Sequence, residues 1–449
     1  MASAPQASCG GGGTVPTFRH GAQASPSARR MGELRHRDGP SLPDAPGSAA
    51  LTLSALETTA LGLVLLLAGY ALRDRVRLLD RLNLPAPVIG GMLAAVAALA
   101  ARVAGLPPVQ FDAALQSPMM IAFFTTLGFA ASYRLLRRGG PQVALLHGVA
   151  SVVAVLQALL GAGISVAFGL DPLLGVLTGT ATLSGGPATG LAFAPQFEAA
   201  GVPGAAAVAT ANAMAGIVLA SLFGAPLATW LIVRRRLDPR QAPAGEMAVT
   251  VSAESGPAHG HAGLAFLALK TIALIAVSMW LGGLVSAWIK AAGVVLPPYI
   301  GGMLVASALR NLDDATGLVK LPIEAIEVAG AVALSLFLVL AIMTLDLTRL
   351  AGLALPLMVI LAAQLALVTV LVLGPVWWLM GRNYDAAVAA GGFAGFMLGT
   401  TANAMAIMRS LVEKYAEAPR AFLTVPLVGA FFIDFANALI ITAFLNLWG

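Results

Sequence analysis

Long apolar runs alternate with short polar turns along most of this chain, and the length of the runs sets the expected fold. Crossing about 30 Å of hydrocarbon takes roughly 20 apolar residues as a helix. Runs of that order recur near residues 54–72, 86–104, 118–134, 142–168 and 205–233, then near 264–289, 297–310, 328–346, 352–380 and 419–447. Between the fourth and fifth runs, and again between the ninth and tenth, the pattern changes. Thr182 to Gly190 reads T-L-S-G-G-P-A-T-G, and Leu398 to Met405 reads L-G-T-T-A-N-A-M. A Gly-Gly-Pro step weakens a helix twice, because glycine loosens the backbone and proline removes a donor. Backbone freed in this way cannot face lipid, so protein or water must surround both stretches.

The two halves of the pattern repeat. Ile89-Gly90-Gly91-Met92-Leu93, after Leu84-Pro85, returns 211 residues later as Ile300-Gly301-Gly302-Met303-Leu304 after Leu296-Pro297. Gln157 and Gln364 fall in matching runs, and Asp171 and Asp385 each stand about 13 residues before a small-residue stretch. Charge then orients the spans. Arg73, Arg75, Arg77 and Arg81 follow the first, Arg134, Arg137 and Arg138 the third, and Arg234, Arg235, Arg236 and Arg240 the fifth, while the intervening loops carry Asp112 and Asp171. The positive-inside rule places the arginine loops in the cytoplasm. That holds only if the Thr182 stretch does not cross the membrane. The second half agrees, with Arg310, Lys320 and Arg382 inside but Lys290 and Arg349 outside; the five arginines of the N-terminal tail are the exception.

The expected fold is therefore an all-α polytopic membrane protein. It has two inverted-topology repeats of five transmembrane helices, each with a re-entrant loop between its fourth and fifth span. The first repeat covers residues 51–240, a cytoplasmic linker 241–263, and the second repeat 264–449, which leaves the C-terminus periplasmic. Residues 1–50 are rich in Ala, Ser, Gly, Pro and Arg and cannot bury enough surface to order themselves. They are expected to be a disordered tail or a mis-assigned start, and they lack the apolar core of a signal peptide.

Composition supports the membrane assignment and removes several function classes. The 449 residues are 58% hydrophobic and 10% charged, with mean hydropathy +0.86; soluble domains carry roughly 25% charged residues. The net charge of +5 needs no nucleic acid to explain it, since loop arginines follow the topology. A single cysteine, Cys9, excludes an intrachain disulfide and a thiolate metal cluster. Neither a glycine-rich phosphate loop ending in Lys-Ser or Lys-Thr nor an H-E-x-x-H pair occurs, so ATP-driven pumping and zinc proteolysis have no site. No enzymatic activity and no cofactor is expected, and energy must come from an ion gradient.

Inverted repeats with interrupted helices are the recurring plan of secondary transporters, whose substrate sits where the broken helices meet. Helix N-termini favour an anionic group, while carbonyls and hydroxyls suit a dehydrated cation. The candidate substrate-binding residues are Ser184, Gly185, Gly186, Thr189, Thr400, Thr401, Asn403 and Asp434. The candidate cation ligands are Thr182, Thr189, Thr401, Asn403, Asp434 and Asn437. Each hydroxyl has a plainer alternative, a local bond to helix backbone. Asp434, flanked by Phe431, Phe432, Ile433 and Phe435, is either a counter-charge for an ammonium or cation or a structural carboxylate. Asp171 and Asp385 read as helix caps, Gln157 and Gln364 as interhelical glue, His147 as structural, and Glu57 and Arg102 as interfacial.

From about Leu53 onward the chain resembles the bacterial sodium/glutamate symporter family. The similar segments are Leu84 to Gly91, Leu170 to Leu174, Thr182 to Gly186, Leu334 to Leu338, Gly381 to Val388 and Val425 to Asp434. The resemblance implies a sodium-coupled carrier of L-glutamate or a related carboxylate in the bacterial inner membrane, with five plus five spans. It also implies a homodimer and an elevator-like movement of the loop-bearing domain. The chain departs from the family where substrate is expected. The first loop usually reads S-G-G-H-G-T, and here Pro187 and Ala188 replace the histidine and glycine. In the second loop Ala402 stands for proline and Ile407 for asparagine. Loss of a buried hydrogen-bonding group alters selectivity strongly, so glutamate is the family default. The alternatives are a proton- or sodium-coupled carrier of another carboxylate, and a ligand-binding receptor or channel without coupled translocation.

Overall fold

The structure, a computed structural model, describes residues 51–238, 261–291, 297–350 and 352–449. The expected tail at 1–50, with Cys9, and most of the expected linker lie outside the described residues. Helices make up almost all of the rest: α1 (Ala55–Arg75), α2 (Arg77–Arg81), α3 (Ala86–Val103), α4 (Gln116–Ala130), α5 (Tyr133–Ala167), α6 (Pro172–Val176), α7 (Gly186–Ala199) and α8 (Ala205–Arg234). There follow α9 (His261–Ala291), α10 (Pro298–Thr316), α11 (Ile323–Met343), α12 (Ala354–Leu371), α13 (Trp377–Leu379), α14 (Tyr384–Leu398), α15 (Thr401–Lys414), α16 (Pro419–Leu427) and α17 (Ile433–Trp448).

Among the described residues, eight helical segments are long and apolar enough to cross a membrane. They correspond to all of the expected spans except the third and seventh. The third is α4, only 15 residues long, and the seventh is α10, whose C-terminal turns carry Arg310, Asp313 and Asp314. Helix α5 begins before its apolar run, at Tyr133, and turns at Gly140, whose φ of 67° lies in the left-handed region before Pro141. One departure from an all-helical chain is small: β1 (Leu51–Leu53) pairs in parallel with β2 (Val109–Phe111), and the Asp112 N–H donates to Leu53 O at 3.2 Å just beyond them.

Local chemistry explains the helix ends. Ser54 and Glu57 form a capping box at α1, Asp171 caps α6 through the Leu173 N–H at 2.8 Å, and Asn383 caps α14. Asp385 was expected to cap its own helix. Instead it reaches across space and accepts from the backbone N–H groups of Arg420 (3.2 Å) and Ala421 (2.8 Å), capping α16. Asn383 already occupies the position that would have made Asp385 a local cap.

The helices sort into two packed groups. In one, α1, α3, α4, α9, α10 and α11 pack on each other; in the other, α5 to α8 pack with α12 and α14 to α17. Each group therefore draws on both halves of the sequence, so the halves are interleaved in space. The two Gly-Gly pairs make corresponding close contacts inside the first group. A Cβ at Gly90 would lie 2.3 Å from Leu65 O on α1, and one at Gly301 would lie 2.1 Å from Gly282 O on α9. The following glycines turn to the other half of the chain, Gly91 toward Ile342 on α11 and Gly302 toward Thr125 on α4. Gly90→Ala is expected to destabilise the protein by about 1–3 kcal/mol through overpacking, read as a lowered unfolding temperature in detergent.

Candidate functional site

Both small-residue stretches are breaks between short apolar helices. On the first, α6 runs on through a π turn at Leu177–Ala181, the backbone leaves helical geometry at Gly179 (φ −90°, ψ −108°), and α7 starts at Gly186 with φ 65°. On the second, α14 ends at Leu398, the backbone leaves helical geometry at Gly399 (φ −151°, ψ −109°), and α15 starts at Thr401 with the extended Thr400 as its cap. Pro172–Ala181 has ten residues and Tyr384–Leu398 has 15, fewer than the roughly 20 that a span requires. The breaks meet. A Cβ on Gly186 would lie 3.5 Å from both Gly399 O and Thr400 Cγ2.

Where they meet there is a cavity of about 440 Å³. Of the expected site residues, Ser184, Gly185, Gly186, Thr189, Thr400, Thr401 and Asp434 line it. Its opposite wall comes from the other packing group and includes Tyr70, Arg73, Phe123, Leu127, Leu334 and Leu338. Asp434 lies one turn beyond Gly429 and Ala430, in the first turn of α17, and makes no hydrogen bond or ion pair among the described residues. A carboxylate in such a place lowers its free energy by taking up a cation or an ammonium group.

Three expected residues do not line the cavity; they brace its walls. Thr182 is fully buried, donates to Leu177 O at 2.9 Å and accepts from Asn212 Nδ2 at 2.7 Å. Asn437 holds the first break at Thr180, accepting from its hydroxyl at 2.5 Å and donating to its carbonyl at 3.0 Å. Asn403 accepts from the Thr400 hydroxyl at 2.6 Å and donates to Ser221 Oγ at 2.8 Å and Ile217 O at 3.2 Å.

Gln157 joins the two breaks. Its Oε1 accepts from the Ser184 hydroxyl, and its Nε2 donates to Met397 O at 2.9 Å. Gln364 donates to Gln157 O at 2.7 Å, so both glutamines act as interhelical ties. Among the described residues, Gln364 Oε1 and His147 Nδ1 are buried with no hydrogen-bond partner. Gln157→Leu removes one tie to each break, leaving Met397 O without its side-chain donor and Ser184 Oγ with only a long contact to Met397 Sδ at 3.8 Å. An expected loss of about 1–3 kcal/mol per group lowers thermal stability and uptake together, and wild-type values of both would contradict the tie.

Of the four departures from the family pattern, Pro187, Ala188 and Ala402 line the cavity. Ile407 does not: it is 4% exposed and packs against Gly224, Gly391 and Gly395. Sequence reasoning missed Asn212 and Ser221, which hold Thr182 and Asn403. Asn212 carried a signal, since Ala211-Asn212-Ala213-Met214 repeats the Ala402-Asn403-Ala404-Met405 tetrad. Glu57 and Arg102 lie at helix ends, Arg102 paired with Asp346 at 3.3 Å.

The family described as sodium/glutamate symporter matches residues 51–417. The sodium/glutamate symporter of Escherichia coli (strain K12) is 39% identical over 396 residues, covering 88% of this chain and 98% of that protein. That of Shigella flexneri gives the same values. The Haemophilus influenzae protein of the same name is 34% identical over 388 residues, covering 86% and 96%. By both the extent of the match and its identity, the chain belongs to the sodium/glutamate symporter family.

Proposed function

We propose that the chain imports a small anionic amino acid, L-glutamate by family, together with sodium, as a secondary active symporter of the bacterial inner membrane. The observation that carries this reading is the convergence of two helix breaks and one unpaired carboxylate on a single cavity. Asp434 receives the substrate ammonium or the sodium ion. The N-termini of α7 and α15 present backbone N–H groups and the positive end of the helix dipole to the α-carboxylate. Thr189, Thr400 and Thr401 supply hydroxyl oxygens beside them, while Thr182, Asn403 and Asn437 hold the breaks in shape. No cofactor is required.

The finer architecture belongs to the same proposal. Two inverted repeats, with Pro172–Ala199 and Tyr384–Lys414 as re-entrant loops, are supported by the two Gly-Gly contacts and by helix pairs too short to span. With the arginine loops cytoplasmic, the linker faces the cytoplasm and the C-terminus the periplasm. The cavity lies between the two packing groups, which suits an elevator in which the loop-bearing group moves against the other. A homodimer follows from the family resemblance. Cation binding beside Asp434 neutralises the site, so that the loaded group carries less uncompensated charge past the apolar wall than a half-loaded one. That difference is the physical basis of coupling.

The test is thermal stabilisation of the purified full chain by a panel of amino and dicarboxylic acids, with sodium and with choline in its place. L-glutamate is expected to raise the unfolding temperature only with sodium. Equal stabilisation in choline would contradict sodium coupling.

A further inference from the structure

Arg73 comes from the cytoplasmic end of α1 in the proposed topology, yet it lines the same cavity as the helix breaks. Among the lining residues it and Asp434 are the charged side chains that differ in sign, and neither break contributes a basic side chain. Pro187, Ala188 and Ala402 at those breaks offer no side-chain donor. A substrate with one ammonium and two carboxylates would therefore meet Asp434 and the helix N-termini and still have one carboxylate to place. The rest of the wall is largely apolar, with Phe123, Leu127, Leu334, Leu338 and Phe396. An unpaired carboxylate there is strongly disfavoured.

The Arg73 guanidinium is equipped to take that group. Two of its nitrogens, Nε at 3.3 Å and Nη2 at 3.1 Å, converge on a single oxygen of Asp80. A guanidinium has five N–H donors in a planar fork, and the others have no partner among the described residues. Asp80 is 64% exposed, so its pair with Arg73 is a solvent-screened one that another carboxylate can replace or join. Arg75, Arg77 and Arg81 share the topological role of Arg73, but they do not line the cavity.

We propose that Arg73 is a specificity-determining residue that binds the side-chain carboxylate of the substrate and so selects a dicarboxylic amino acid over its neutral amide. This deepens the proposed function and rests on the cavity being the substrate site. Asp80 holds the guanidinium in place when the site is empty and yields part of it when substrate enters.

The test uses the full chain in proteoliposomes, with KM measured for labelled L-glutamate and inhibition constants for L-glutamine. For Arg73→Gln the KM for L-glutamate is expected to rise at least ~10-fold, as for loss of a charge-assisted bidentate contact, with the L-glutamine constant within about twofold of wild type. Arg73→Lys, which keeps the charge without the fork, recovers part of the discrimination. A ratio of the two constants unchanged in Arg73→Gln would overturn the assignment. Asp434→Asn in the same assay separates the two levels. If it abolishes uptake while Arg73→Gln leaves the ratio unchanged, only the role of Arg73 fails; if uptake survives in Asp434→Asn, the cavity is not the site.

Discussion

Asp434→Asn is expected to reduce coupled uptake by ~100-fold or more while the protein still folds. The magnitude follows from removing one member of a desolvated charge pair, which costs about 2–5 kcal/mol. Folding should survive because Asp434 supports no other group: no hydrogen bond or ion pair to it occurs among the described residues. The bracing of the neighbouring backbone falls instead to Asn437, which binds Thr180 through both its amide atoms. Uptake and thermal unfolding of the same preparation separate the two effects. Near-normal uptake would contradict the placement of the substrate site in this cavity, and a collapsed unfolding temperature would show that Asp434 is structural.

Asn403→Ala is expected to act differently, lowering both transport and stability. Its side chain is fully buried and ties the cap of α15 to α8, through Thr400 on one side and Ser221 and Ile217 on the other. Truncation takes away the acceptor of the Thr400 hydroxyl and the amide donor to Ser221 Oγ and Ile217 O, at about 1–3 kcal/mol in all. It also releases Thr400 and Thr401 from their place on the cavity wall. Uptake should fall more than tenfold, since 1.4 kcal/mol already corresponds to about a factor of ten, and the unfolding temperature should drop in the same variant. Wild-type kinetics at a lowered unfolding temperature would mean that the second break does not shape the site.

What could be read from the chain alone depended on how local each signal was. Membrane spans declare themselves by length and apolarity, and the Ser184-Gly185-Gly186-Pro187 step declares a helix break by backbone chemistry alone. The break at Gly399 was legible through the repeat, because Leu398 to Met405 occupies the matching place in the second half. Partners across space were not legible. Asp385 was expected to cap its own helix from its local position, but its carboxylate is taken up by α16, 35 residues away in sequence. Asn212 lies in an alanine-rich run whose apolar pattern hides the fact that it faces Thr178 and Thr182.

The candidate site divided along the same line. Hydroxyl-rich composition identified the breaks, but it could not say which oxygens face the cavity, as Thr189, Thr400 and Thr401 do, and which are spent on neighbouring backbone, as Thr182 is. Ile407 shows the converse. As a departure from the family pattern it was expected to bear on substrate choice, yet it packs against glycines on α8 and α14, so its effect on selectivity can only be indirect. Arg73 was counted as a topology signal because nothing in its sequence surroundings reveals the cavity it lines.

The central claim is that this cavity supports sodium-driven import of L-glutamate. Its most direct test is uptake of labelled L-glutamate into proteoliposomes holding the full chain, with an inward sodium gradient, equal pH on both sides and no ATP. Accumulation above the external concentration, abolished by replacing sodium with choline, is the predicted result. Equilibration without accumulation, or accumulation that follows a pH gradient and ignores sodium, would contradict it.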